Sequence, residues 1–204
     1  HPDTWQWIKD AAPGLARVSP ERQRDELFRI LSGKNIPAAL RLLDAAGTLP
    51  VVLPELAALR GAVQGPPHIY DVWEHTLALI ARLESLYDLL VGEYSREAAD
   101  LTLGLAVLRL GRFREQFAAH FTESINPQRD LRALLFLAAL YHDAAKPISR
   151  SVDEHGRVHY YGHDERGLEL VENRARALML SNPEIERLKT LVGSHMRAHL
   201  LAKE

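Results

Sequence analysis

The chain has 204 residues, 47% hydrophobic and 25% charged, which is typical of a globular protein with one large or two small domains. Its formal net charge of −2 provides no global basic field for nucleic acid, although a local basic face is not excluded. The absence of cysteine excludes disulfides and thiolate metal sites. No apolar run approaches the roughly 20 residues of a membrane helix, and the first residues lack signal-peptide features, so we expect a cytoplasmic protein without membrane contact.

Helix start and stop residues predict several short helices in the first third of the chain. The Ser19-Pro20-Glu21 sequence combines an N-cap residue, a first-turn proline and a first-turn acid. The helices are expected at about 3–12, 20–32, 37–46 and, as a short helix or turns, within 49–59. Gly65-Pro66-Pro67 then breaks any helix, so we divide the chain into domains 1–64 and 65–204.

The rest of the chain also has helical periodicity, and strand patterns are nearly absent. Helices are expected at about 71–90, 96–110, 127–143, 164–180 and 183–200, with mixed helix and loop over 111–126 and a loop or short hairpin over 149–161. The sequence therefore predicts an all-α protein, a helical bundle preceded by a small helical segment.

An apolar run over 134–140, predicted to be a buried helix, is followed directly by His142-Asp143 and then by Lys146-Pro147. A buried helix seldom ends in an adjacent imidazole and carboxylate unless something binds there. The alternative is a helix C-cap in which the imidazole interacts with the helix dipole.

Five residues could converge on one site. His75 lies on the first turns of a long helix, His142 and Asp143 end another, His163 stands where a loop enters a helix, and His195 is expected inside the last helix. Imidazole and carboxylate ligands suit Mn, Fe, Ni, Co or Zn better than Ca or Mg. Each histidine could instead be a hydrogen-bonded core residue, and Asp143 could be a ligand, a bridge or an orienting group.

The order His75…His142-Asp143 resembles the HD superfamily of metal-dependent phosphohydrolases, and His142 to Pro147 is similar to its HD-x-x-K-P form. His163 and His195 match places where related domains carry further histidines. The resemblance implies an HD-type bundle and a divalent metal ion (Mn, Ni, Co, Fe, Zn or Mg) held by His75, His142, Asp143, His163 and His195. It also implies His142, Asp143 and Lys146 as catalytic residues, acting on phosphomonoesters or cyclic phosphodiesters.

Residues 16–27 resemble the RNA-binding segment of bacterial tRNA nucleotidyltransferases (CCA-adding enzymes) and poly(A) polymerases, and the stretch 41–56 is similar to its continuation. In that family the segment precedes the HD domain. The resemblance implies that nucleotides or RNA, including tRNA, are partners. Arg17, Arg22 and Arg24 are the candidate RNA-binding residues, with a solvated helix face as the alternative.

The sequence departs from the family in two respects. It has no Gly-Ser start followed by an Asp-x-Asp pair, so this chain alone is not expected to add nucleotides. Because it also lacks an initiator Met, the chain could be the cut edge of a longer protein. No aspartate follows His195, which leaves a non-catalytic RNA-binding or nucleotide-sensing fragment with a vestigial HD site as the alternative. Tyr160 and Tyr161, beside His163, could line a nucleotide pocket or simply pack.

Overall fold

The computed structural model describes residues 2–65, 68–91, 101–126 and 129–197. The α-helices in these ranges are α1 Pro2–Ala11, α2 Pro20–Leu31, α3 Ile36–Ala45, α4 Leu49–Val52, α5 Val72–Val91, α6 Leu101–Leu110, α7 Arg114–Thr122, α8 Leu131–Tyr141, α9 Lys146–Ser149, α10 His163–Ala177 and α11 Asn182–Gly193. Short 3-10 helices cover Ala12–Arg17, Pro54–Leu59 and Gly111–Phe113. Four very short strands, β1 Ser124–Asn126, β2 Arg129–Asp130, β3 Ser151–Val152 and β4 Val158–His159, form two antiparallel hairpins. The predicted all-α class is confirmed.

The N-terminal helices begin and end close to the predicted positions. Helix α2 has Pro20 in its first turn, and Ser19 occupies the N-cap position, but the Ser19 side chain makes no capping hydrogen bond. Its backbone carbonyl accepts the first hydrogen bond of the helix, from Gln23 N at 3.1 Å. The helix buries Leu27, Phe28 and Leu31 against the rest of the protein.

The predicted start of the buried central helix at residue 127 is wrong. Helix α8 begins at Leu131, because the Asp130 carboxylate accepts a hydrogen bond from Ala133 N at 2.8 Å and so caps the first turn. The residues before it form the β1–β2 hairpin, in which Ser124 pairs with Asp130 and Asn126 with Arg129. Helix α8 is buried on nearly every side, as the apolar run predicted.

The last helix is shorter than predicted. Helix α11 ends at Gly193, so His195 lies in the turn after the helix and not inside it. A Cβ atom at Gly193 would lie 2.9 Å from Leu168 Cδ2, which shows how closely α10 and α11 approach each other. Residues 198–200 of the predicted helix, which include His199, and the predicted start of a helix at 96 lie outside the described residues.

One hydrophobic core joins the two predicted domains. It contains fully buried residues of the N-terminal segment, such as Leu31 and Leu40, together with Leu134, Phe136 and Tyr141 of α8. The boundary between 64 and 65 stays a prediction, but residues on both sides of it pack into this core. Within the described ranges, every helix is too short or too polar to cross a lipid bilayer.

Candidate metal centre

All five predicted ligand residues meet at one end of the bundle. His75 projects from the first turns of α5, and His142 and Asp143 occupy the turn that follows α8. His163 is the first residue of α10, which is preceded by Gly162 at φ +70°, and His195 follows α11. The close packing of α8, α10 and α11 therefore gathers residues that are far apart in sequence.

The Asp143 carboxylate lies at the centre of this cluster, which we call the His–Asp cluster, and it is 3% exposed. Its Oδ2 lies 3.1 Å from His142 Nε2 and 3.6 Å from His75 Nε2. Its Oδ1 lies 3.4 Å from His163 Nε2 and 3.8 Å from His195 Nε2. Asp143 thus belongs to two groups, one with His75 and His142 and one with His163 and His195, and the candidate ligand atoms of each group lie within 4.8 Å of one another.

Backbone contacts determine the tautomer of three of these imidazoles. Each places Nδ1 at 2.6–2.8 Å from the carbonyl oxygen three residues earlier: His142 at Ala139, His163 at Tyr160 and His195 at Val192. A carbonyl oxygen can only accept, so Nδ1 carries the proton and donates it. In the neutral ring the Nε2 atom then has its lone pair free, which is the tautomer that binds a metal ion through Nε2.

The lone pairs of the cluster point at one another. His142 Nε2 is buried without a hydrogen-bond partner and faces Asp143 Oδ2, while His163 Nε2 lies 3.2 Å from His195 Nε2. Facing lone pairs repel unless a proton or a cation lies between them. A donor set of imidazole nitrogens with one carboxylate suits a divalent transition metal, so the residues present fit such an ion.

The charges in the site are set by burial and by Asp143. Burial raises the pKa of Asp143, but contacts with His142 and His163 and the charge of Lys146 outweigh burial and hold that pKa far below its usual range. Burial lowers the pKa of His75 and of His195, with the nearby carboxylate opposing it. The contact of His163 with Asp143 raises the pKa of His163. The carboxylate is therefore ionised at neutral pH.

Lys146 stands beside the carboxylate, and its predicted role in catalysis stays a prediction. Its Nζ lies 2.7 Å from Asp143 Oδ2 and donates to Gln64 Oε1 at 2.7 Å. The same atom lies 5.5 Å from the centre of the Tyr160 ring, in a cation–π contact. Gln64 was missed by sequence reasoning, because a single glutamine before a proline-containing break has no motif to distinguish it.

Glu55, a second residue of the N-terminal segment, contacts the end of the helix that leads into the site. Glu55 Oε2 accepts a hydrogen bond from the Tyr141 hydroxyl at 2.9 Å, and Tyr141 directly precedes His142. Arg174 of α10 donates to Glu55 Oε1 at 2.7 Å. Sequence reasoning missed this contact too, because it joins three residues far apart in the chain.

The predicted RNA-binding arginines differ in their surroundings. Arg17 and Arg22 are exposed. Arg24 is 12% exposed, donates to Met179 O at 2.7 Å and pairs with Asp25 at 2.8 Å, so its guanidinium is already engaged within the protein. An RNA-binding role for the three arginines stays a prediction.

The bundle and the His–Asp cluster define an HD-type helical domain. In agreement, the HD domain family model matches residues 114–203, and a model described as the probable RNA and SrmB-binding site of polymerase A matches residues 1–59. The two matches thus give an HD domain C-terminal to an RNA-binding segment of the tRNA nucleotidyltransferase and poly(A) polymerase type.

Similar proteins extend well beyond the length of this chain. A CC-adding tRNA nucleotidyltransferase of Thermus thermophilus is 33% identical over 86% of the chain and 31% of its own length. An A-adding tRNA nucleotidyltransferase of Deinococcus radiodurans is 31% identical over 96% of the chain and 37% of its own length. A bifunctional uridylyltransferase/uridylyl-removing enzyme of Haemophilus influenzae is 32% identical over the whole chain, which spans 20% of that enzyme.

Proposed function

We propose that the chain is the metal-dependent phosphohydrolase domain of a tRNA nucleotidyltransferase-like or poly(A) polymerase-like protein. Its substrates are phosphomonoester or cyclic phosphodiester bonds of nucleotides or RNA ends, hydrolysed in the cytoplasm. The observation that carries the proposal is the unpartnered, buried Nε2 of His142 facing the Asp143 carboxylate, with a second pair of imidazoles facing the other oxygen of that carboxylate.

The donor set favours a transition metal over Ca or Mg, with His75, His142 and Asp143 as one ligand group and Asp143, His163 and His195 as the other. When bound, such an ion would supply Lewis acidity, lowering the pKa of a water molecule and polarising a phosphoryl oxygen. The carbonyl contacts at Nδ1 hold the imidazoles in the required tautomer. Lys146 presents a positive charge beside Asp143, where it would contact a substrate phosphate.

A relative that covers the whole chain supports hydrolysis as the reaction class. The Haemophilus influenzae protein is named a uridylyl-removing enzyme, and removal of a uridylyl group breaks a phosphate ester bond. The other relatives are named for addition of nucleotides to tRNA, which supports nucleotides or RNA as the substrate class.

Metal analysis and hydrolysis assays on one preparation test the proposal. We expect bound transition metal, turnover of 2′,3′-cyclic nucleotides or an aryl phosphate, and loss of both in the double variant His142→Ala/Asp143→Ala. His155→Ala is the control, because His155 is an exposed residue of the β3–β4 turn. Turnover that survives in the double variant, or a wild-type chain that binds no divalent ion, would refute the proposal.

One observation favours a second candidate, a non-catalytic RNA-binding or nucleotide-sensing fragment. Among the described residues, Asp143 is the one carboxylate in either candidate ligand group. A site so poor in carboxylates could bind metal without efficient turnover. RNA affinity that chelators leave unchanged, together with no turnover under any transition metal, would decide for RNA binding. A nucleotide-dependent change in light scattering would decide for sensing.

A further inference from the structure

An exposed aromatic side chain, two residues before His163 in the chain, stacks on a neighbouring imidazole. Tyr161 is 75% exposed, and its ring stacks on the imidazole of His159 with a centroid distance of 5.0 Å and an interplanar angle of 10°. His159 is fixed in turn, because its Nε2 lies 2.9 Å from Asp153 Oδ2. Asp153 Oδ1 accepts from the backbone N–H groups of His155 and Arg157 at 2.9 and 2.8 Å.

Both neighbours of Tyr161 in the chain lead directly into the site. Tyr160 lies under Lys146 and donates its hydroxyl proton to Val63 O at 2.8 Å. On the other side, Gly162 turns the chain with a positive φ so that His163 enters the cluster. The backbone of Tyr161 is therefore bracketed by one residue in contact with the site lysine and one candidate ligand.

The stacking leaves one face of the Tyr161 ring free. The other face covers His159, and most of the residue's surface is open to solvent. Aromatic rings with a free face bind nucleobases by stacking, whatever the identity of the base. Because His159 restricts the ring beforehand, stacking a base on it would cost little side-chain entropy.

We propose that Tyr161, supported by His159, is a stacking platform for the base of a nucleotide whose phosphate is bound at Lys146 and the His–Asp cluster. This inference rests on the proposed function and narrows its substrate class to phosphate esters that carry a base. It assigns the preference for nucleotides to a residue outside the candidate ligand set.

A cavity next to the cluster offers the competing location for a base. It has a volume of about 220 Å³ and is lined by His142, His195 and apolar side chains that include Leu135 and Leu191. Its described lining contains no aromatic ring apart from the two candidate ligands, so a base there would have to stack on an imidazole engaged with metal. The Tyr161 platform avoids this conflict.

Two ligands that differ only by the base test the platform: adenosine 5′-monophosphate and ribose 5-phosphate. Kd values are measured by equilibrium titration of the chain in EDTA and in Mn²⁺, with turnover followed in parallel. We expect the wild type to bind the nucleotide roughly 10- to 100-fold more tightly than ribose 5-phosphate, from the usual strength of base stacking. Tyr161→Ala should abolish this difference without weakening ribose 5-phosphate binding, and Tyr161→Trp should keep it.

Equal affinity of the wild type for both ligands, or an unchanged preference in Tyr161→Ala, would overturn the inference. An equal loss of both ligands in Tyr161→Ala would show a purely structural role and would overturn it as well. Loss of preference in Leu135→Phe but not in Tyr161→Ala would place the base in the apolar cavity. Because these are binding measurements, a chain that binds in this pattern but never turns over substrate would refute the hydrolase function while leaving the platform supported.

Discussion

The contact between Glu55 and the helix that leads into the site can be tested by replacing Glu55 with Gln. The Glu55 carboxylate accepts from the Tyr141 hydroxyl at 2.9 Å and from Arg174 Nη2 at 2.7 Å, with Arg174 Nε at 3.2 Å from both oxygens. Glutamine keeps the size of the side chain but loses the negative charge and one acceptor. The guanidinium of Arg174 then remains half-buried without its counter-ion.

The expected cost of Glu55→Gln follows from how buried the carboxylate and the guanidinium are. Breaking a fully buried ion pair costs about 3–5 kcal/mol. Glu55 and Arg174 retain 20% and 18% side-chain exposure, so water offsets part of that penalty. We expect Glu55→Gln to lower the free energy of unfolding by about 2–3 kcal/mol. For a chain of this size that corresponds to a fall in Tm of roughly 4–12 °C.

Urea denaturation of the wild type, Glu55→Gln, Tyr141→Phe and the double variant measures both the cost and its origin. The single change Tyr141→Phe removes one hydrogen bond to a charged acceptor and should cost about 1.5 kcal/mol. If Glu55 and Tyr141 interact as the distances indicate, the cost of the double variant should differ from the sum of the two single costs by more than about 0.5 kcal/mol. A loss below about 0.5 kcal/mol for Glu55→Gln, or strictly additive effects, would refute the reasoning.

Three further predictions concern other contacts. Burial raises the pKa of Glu184, but hydrogen bonds, chiefly from Arg129, outweigh burial and lower that pKa below its usual 4.5. The ionised Glu184 therefore stabilises the fold above pH 4.5, and this stabilisation is lost as the pH falls through the pKa of Glu184 in the folded protein. Glu184→Gln should therefore cost about 3 kcal/mol at neutral pH, and its urea midpoint should converge with that of the wild type in acid. Mn²⁺ at 100 times its Kd should stabilise the chain by about 2.7 kcal/mol in thermal unfolding, an effect absent in Asp143→Ala. Gln64→Ala removes the acceptor that orients the Lys146 amine, so the variant should have a higher KM for a phosphate ester with a smaller fall in kcat. An unchanged KM would contradict this prediction.

The elements that sequence reasoning placed well are those with local determinants. Pro20 in a first turn started α2, and the apolar run of α8 correctly predicted burial on nearly every side. The approximate position of His75 on α5 and of His163 at the start of α10 followed from helix periodicity and from Gly162. Convergence of the predicted ligands was suggested by their places at helix ends and first turns, and the family resemblance then matched the same residues.

The errors arose where tertiary contacts override a local pattern. Asn126-Pro127 is a good helix start, but the β1–β2 pairing and the Asp130 side-chain cap move the start of α8 to Leu131. The apolar spacing of the last helix continues past Gly193, yet the described helix ends there, where it passes within contact distance of Leu168. The apolar spacing of one helix does not show where a second helix will pack against it, so the sequence pattern could not predict this end.

The site and the N-terminal segment share a single framework. The turn after α8 carries His142, Asp143 and Lys146, and its two ends are held by residues from before the predicted domain boundary. Glu55 binds the hydroxyl of the residue that precedes His142, and Gln64 binds the Nζ of Lys146. Because both contacts come from the N-terminal side and both domains contribute to one hydrophobic core, the position of the His–Asp pair depends on the N-terminal segment as well as on the bundle. The site therefore combines Glu55 from the first family match and the His–Asp pair from the second with Gln64 and His75 from the stretch between the two matches.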